Sequence, residues 1–207
     1  MSITLASGRE LDAVVIGTSA GGVEALTVLL PLLPAGLGAP VFVVLHLPRD
    51  RPSLLAGIFA PRCRLAVVEA EDKQPVEPAT VYFAPPDYHM LIDAGPSLAL
   101  SSDEPVHHSR PSIDVLFESA SDVYGSRLAG IILTGGSADG SAGLAAIRRA
   151  GGLTIVQQPA EALARLMVES ALDGGPVDHI LTLREMALLF TNPKDGTGAT
   201  APRSAGA

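Results

Sequence analysis

A chain of 207 residues with 47% apolar content, 4% aromatics and no tryptophan can bury one sizeable core built from Val, Leu, Ile and Ala. Its net charge of −8 argues against a nucleic-acid partner, because phosphate-backbone binding needs clustered Lys and Arg. The single cysteine, Cys63, excludes an internal disulfide and fits a reducing cytoplasm.

Nor does any apolar run reach the ~20 residues of a membrane span, and "MSITLASGRE" lacks the basic start and long apolar stretch of a signal peptide. The expectation is a cytoplasmic protein that is not membrane-embedded. Residues 1–11 are expected to be a flexible N-terminus. "LDAVVIG" then reads as a strand, and Val23, Leu26, Leu30 and Leu33 recur at helical spacing until "PAG" stops the pattern. "APVFVVLH" is a second buried strand. Leu54, Leu55, Ile58 and Phe59 mark a short helix, and "RLAVVEA" and "ATVYFAP" are the third and fourth strands. The rhythm changes at "HMLID", "AGP" and "SLALS", a β-hairpin inserted into the α/β pattern. The polar loop "SSDEPVHHSRP" leads to a helix with Ile113, Leu116, Phe117 and Ala120 on one face and Pro111 near its start. The last third alternates again: strand "LAGIILTG", helix "SAGLAAIRRAGG", strand "LTIVQ", helix "AEALARLMVESAL" and strand "DHILTL". Residues 191–207, rich in Gly, Ala, Thr and Pro, are expected to be a disordered tail.

About seven apolar strands joined by helical crossovers predict an α/β fold. The expected form is a single-domain, doubly wound, mainly parallel sheet with helices on both faces and the hairpin inserted. In such sheets the site lies outside the carboxyl ends of the strands, where strand order reverses. Three strands end in something reactive: the first at "GTSAGG" with Ser19, the second at His46, the fifth at "LTGGSADGSAG" with Asp139. Serine, imidazole and carboxylate are the set that makes a hydroxyl nucleophilic at neutral pH. His46 would take the proton of Ser19 Oγ, and Asp139 would orient His46 and stabilise its imidazolium.

Each residue also has a plainer reading. Ser19 could be a helix N-cap, His46 a structural histidine and Asp139 a turn former. "GTSAGG" satisfies G-x-S-x-G, the strand-to-helix elbow of serine hydrolases, and misses the dinucleotide fingerprint G-x-G-x-x-G at Ser19. The order Ser19, His46, Asp139 with the serine on the first strand rules out an α/β-hydrolase. Two other readings stay open: a phosphate- or nucleotide-binding module using its glycine-rich turns, and an inactive esterase-like scaffold for partner binding. His89, His107, His108 and His179 do not fall at metal-ligand spacing, so neither a metal nor an organic cofactor is expected.

"VVIGTSAGGVEAL", "VVLHLPRD", "VYFAPPDYHMLI", "HHSRPSIDVLFESAS" and "GIILTGGSADGSAGLAAIRRAGGLTIVQ" stand in this order along the chain. This run resembles the catalytic domain of the bacterial chemoreceptor methylesterases, the CheB type, over about residues 12–185. The resemblance implies a catalytic domain over residues 12–190, with Ser19 as nucleophile, His46 as base and Asp139 as orienter. It implies hydrolysis of glutamate γ-methyl esters on the cytoplasmic helices of methylated chemoreceptors, releasing methanol. In many members it also implies deamidation of receptor glutamines. The oxyanion is expected against the backbone N–H groups of Ala20 or Gly21, assisted by Gly136 and the helix dipole. Gly136 and Ser137 stand where the family commonly has methionine and then glycine; a backbone donor survives that change. Arg110 is the candidate contact to acidic receptor helices, and Met167 matches a family position beside the cleft, although methionine at helical spacing is usually core. Family members usually carry an N-terminal phosphoacceptor domain, and only about a dozen residues precede the first strand here. The expectation is an enzyme that is constitutively open, controlled by a separate regulatory protein, or serving another pathway.

Overall fold

Seven short apolar segments lie side by side in the computed structural model, which describes residues 2–5, 8–48, 52–95 and 97–191. In chain order the strands are β1 (Ile3–Thr4), β2 (Glu10–Leu11), β3 (Ala13–Thr18), β4 (Val41–Leu45), β5 (Ala66–Glu69), β6 (Thr80–Phe83), β7 (His89–Asp93), β8 (Ser97–Ser101), β9 (Leu128–Ile132), β10 (Leu153–Gln157) and β11 (His179–Leu181). The helices are α1 (Gly22–Leu29), α2 (Leu55–Phe59), α3 (Ile113–Tyr124), α4 (Ser141–Arg149), α5 (Leu166–Asp173) and α6 (Leu183–Leu189). The main sheet runs β11-β10-β9-β3-β4-β6-β5, and every pairing in it is parallel.

Parallel strands need crossovers, and these cover both faces, so the central strands are apolar at nearly every position. β3, β4, β6, β9 and β10 are buried along their whole length, whereas the edge strands β5 and β11 are partly exposed. Successive side chains point to opposite faces. Val14, Ile16, Val41 and Val43 therefore join one core with Leu26, Phe59, Met186 and Phe190, under α1, α2 and α6. Ala13, Val15, Phe42 and Val44 join the other with Leu116, Phe117, Ile147 and Val168, under α3, α4 and α5. The β7–β8 hairpin is antiparallel, outside the main sheet, and inserts Met90, Ile92 and Leu98 into this second core. Strand order reverses between β3 and β9, so the crevice of a doubly wound sheet opens at their carboxyl ends.

Two expectations are corrected, and one element is added. Part of residues 1–11 is ordered as an antiparallel pair, Ile3 opposite Leu11, with Ile3, Leu5 and Leu11 buried. The helix expected from residue 160 begins only at Leu166, because the backbone at Ala164 is held by Thr134 and Gly135 instead of by a helical turn. α6 was not expected at all; a capping box between Thr182 and Glu185 starts it, and Leu183, Met186 and Ala187 bury its inner face. Of the tail expected over 191–207, residues 192–207 lie outside the described residues. No helix among the described residues is long and apolar enough to cross a membrane.

Candidate active site

β3 ends at Thr18, and the chain turns sharply through Ser19, Ala20 and Gly21 into α1. The turn closes with the Gly22 N–H donating to the Ser19 carbonyl at 2.8 Å. Gly21 sits at φ +79°, and a Cβ there would lie 2.8 Å from Leu163 Cβ, so both conformation and space call for glycine. On the neighbouring strand the His46 N–H donates to the Thr18 carbonyl at 3.2 Å, carrying the β3–β4 ladder one step past its last pair. That register puts the half-buried Ser19 and His46 beside each other on adjacent strands. Among the described residues no hydrogen bond joins Ser19 Oγ to His46.

Asp139 is fully buried and accepts four hydrogen bonds. His46 Nε2 donates to Oδ2 at 2.9 Å and the Ile113 N–H to the same oxygen at 2.7 Å. Ser112 Oγ donates to Oδ1 at 2.8 Å, joined there by the Asp114 N–H at 3.1 Å. Burial opposes ionisation of Asp139, yet these donors, His46 foremost, outweigh it and hold the carboxyl below its ordinary range. With Nε2 donating to a carboxylate, the neutral His46 ring carries its proton there, and its lone pair is on Nδ1.

The two helices that flank this carboxylate cap each other. Asp139, just before α4, takes the first N–H groups of α3. Asp114, in the first turn of α3, takes the Gly140 and Gly143 N–H groups at the start of α4, at 3.0 and 2.6 Å. Burial pushes Asp114 up to about 6; the Gly143 amide pulls against this, and the charge of Asp139 adds to the rise. His107 Nε2 lies 3.5 Å from Asp114 Oδ2. Close carboxylates thus separate into one that ionises readily and one that resists.

Among the described residues no acceptor takes the N–H of Ala20, Gly21 or Gly136, so all three remain available as donors. Thr134 organises the ground between them. Its hydroxyl donates to the Ala20 carbonyl at 2.9 Å and accepts the Ala164 N–H at 2.8 Å, while its carbonyl accepts the Ser19 N–H at 3.0 Å. Met167 is buried under this loop, its sulfur 2.5 Å from where a Gly135 Cβ would stand. Arg110 lines a cavity of about 150 Å³ together with His46, Leu47, His108, Ser109 and Pro111. Its guanidinium donates to Asp87 through Nε and Nη2, and to the carbonyls of Ser102 and Asp103 through Nη1. Four of its five N–H groups are thereby engaged within the chain.

Sequence reasoning did not reach Ser112, Asp114 or Thr134. "RPSID" carries a helix-start signal, and Ser112 is indeed the N-cap position of α3. Its hydroxyl, however, serves a carboxylate 27 positions away, a pairing that no local pattern reveals.

A CheB methylesterase profile matches residues 14–190. A Leptospira interrogans protein named for protein-glutamate methylesterase and protein-glutamine glutaminase is 44% identical over 179 residues, which cover 86% of this chain and 93% of that protein. A Symbiobacterium thermophilum protein with the same two activities in its name is 40% identical over 178 residues, but the match covers only 49% of its length. The crystal structure of the Thermotoga maritima CheB methylesterase catalytic domain superposes with a TM-score of 0.82 at 32% identity, covering 86% of this chain and 95% of that one.

Proposed function

The chain belongs to the CheB methylesterase family, and from that premise we propose that it hydrolyses glutamate γ-methyl esters on the cytoplasmic helices of chemoreceptors, with residues 12–190 as the catalytic unit. Ser19, His46 and Asp139 are the catalytic residues of this reading. One observation carries it: the 2.9 Å bond from His46 Nε2 to the buried Asp139, with the His46 backbone registered beside Ser19.

Because Nε2 serves Asp139, the nitrogen left to accept the serine proton in this reading is Nδ1. Ser19 Oγ attacks the γ-carbonyl carbon as His46 Nδ1 takes its proton. The carbonyl oxygen becomes an oxyanion, held by the N–H groups of Ala20 or Gly21 and of Gly136, with the N-terminal end of α1 adding its dipole. Collapse breaks the bond to the methoxy oxygen, His46 returns the proton, and methanol leaves. Water, deprotonated by His46, then cleaves the acyl-serine and frees a glutamate carboxylate. A glutamine side chain passes through the same acyl-enzyme with ammonia as leaving group, which is the second activity in the relatives' names.

Treatment with a serine-directed fluorophosphonate tests the nucleophile. Wild type takes up one label per chain, and Ser19→Ala and His46→Ala take up none. Release of methanol from methylated receptor helices tests the substrate. A folded wild type that is neither labelled nor able to release methanol would favour the inactive scaffold.

A further inference from the structure

His89 opens β7 on the inserted hairpin and is 2% exposed. A polar ring so deeply buried is costly unless both nitrogens find partners, and both do. Nε2 meets the Glu104 carbonyl at 3.2 Å, and Nδ1 meets the Ser112 N–H at 3.1 Å. A carbonyl can only accept and a backbone N–H can only donate, so the ring is neutral with its proton on Nε2. The hairpin itself is anchored by Met90, Ile92 and Leu98 in the second core, and the polar contacts of His89 add ties to the Glu104 and Ser112 backbone.

Those contacts lead to the site. Ser112 is buried at the N-cap of α3, yet its side chain caps no N–H of its own helix. The hydroxyl donates to Asp139 Oδ1 instead, at 2.8 Å. The Ser112 hydroxyl starts from a backbone position held in part by its N–H, and the acceptor of that N–H is His89. We propose that His89 is a positioning residue: through Ser112 it fixes the orientation and charge distribution of Asp139, and so the basicity of His46. The proposal rests on the catalytic reading of Ser19, His46 and Asp139 given above.

Loss of the Ser112 donor leaves more of the Asp139 charge facing His46 and leaves the carboxylate held by three donors instead of four. A more localised charge holds the imidazolium more tightly, so the acid limb of the pH–rate profile moves to higher pH. The looser hold lowers the rate. Ser112→Ala and His89→Leu are each expected to slow fluorophosphonate labelling of Ser19, and kcat for ester hydrolysis, roughly tenfold with KM little changed. Both shift the acid limb upward. The double variant is no slower than either single one, because both remove the same link. His89→Asn, whose amide oxygen stands near the Nδ1 position, keeps most of the rate; His89→Gln, which carries its polar group further out, does not.

Wild-type labelling speed in His89→Leu would overturn the proposal, as would single effects that multiply in the double variant. If His89→Leu does not fold, equal rates in His89→Asn and His89→Gln overturn it as well. Labelling needs only an activated serine, so an unlabelled wild type sinks the catalytic reading, whereas a labelled wild type beside an unaffected His89 variant sinks this inference alone.

Discussion

Gly17 shows how tightly the site is tied to its scaffold. A Cβ at this position would stand 2.3 Å from Ile113 Cγ2, and Ile113 is the residue whose N–H reaches Asp139. Gly17→Ala must push Ile113 away, at a cost of about 1–3 kcal/mol for overpacking a buried contact. Thermal unfolding should show the lost stability, and labelling of Ser19 per folded molecule should fall as well, since the displaced N–H leaves the carboxylate less firmly held. At this scale the sequence is informative about strand ends and silent about what supports them. Ser19, His46 and Asp139 each follow an apolar run that reads plainly as a strand. Ser112, the N-cap of α3, and Asp114, in its first turn, stand 27 and 25 positions before Asp139, and the helix-start signal in the sequence names no such distant partner.

Pairs of elements carry the next layer of consequence. The mutual capping of α3 and α4 makes stability respond to pH in a definite direction. Asp114 is raised from 3.8 to about 6 by burial first of all, so its charged form is disfavoured in the folded chain. Its stabilising contribution is complete below about pH 4 and is lost as pH rises toward 6. Asp139, held low, acts oppositely: its contribution is present above about pH 4 and disappears as pH falls through its folded value. Melting temperatures measured from pH 4 to 7 should therefore decline less in Asp114→Asn than in wild type, because the amide keeps an acceptor for the α4 amides and no longer ionises. α6 offers a separate test. Thr182→Ala removes the hydroxyl that accepts the Glu185 N–H at 3.3 Å and donates to its carboxylate at 2.7 Å. A cap of this kind is worth about 1 kcal/mol, or roughly 2–4 °C in a domain of this size, with labelling of Ser19 unchanged. "TLRE" before "MALLF" is a capping-box signature legible in the sequence. The two-residue strands β1 and β2 are too short to show any period. The late start of α5 is set by contacts to Thr134 and Gly135, which lie some thirty positions away.

Across the whole molecule, alternation of apolar strands and helical stripes was enough to recognise a doubly wound sheet. The order of its strands is a different matter. That β9 returns to lie against β3 depends on which edge each crossover takes, and no stretch of residues records that choice. The seam between β3 and β9 has a kinetic meaning. His46 and Asp139 are 93 positions apart and are linked by a direct bond, while β9 docks on β3 across a still longer span, Val14 pairing with Ala129. Closing contacts of such span is slow compared with forming helices and the local hairpin. On dilution from denaturant, ellipticity should thus recover first and esterase competence last, and a fragment that stops before β9 should gain helix without ever gaining turnover.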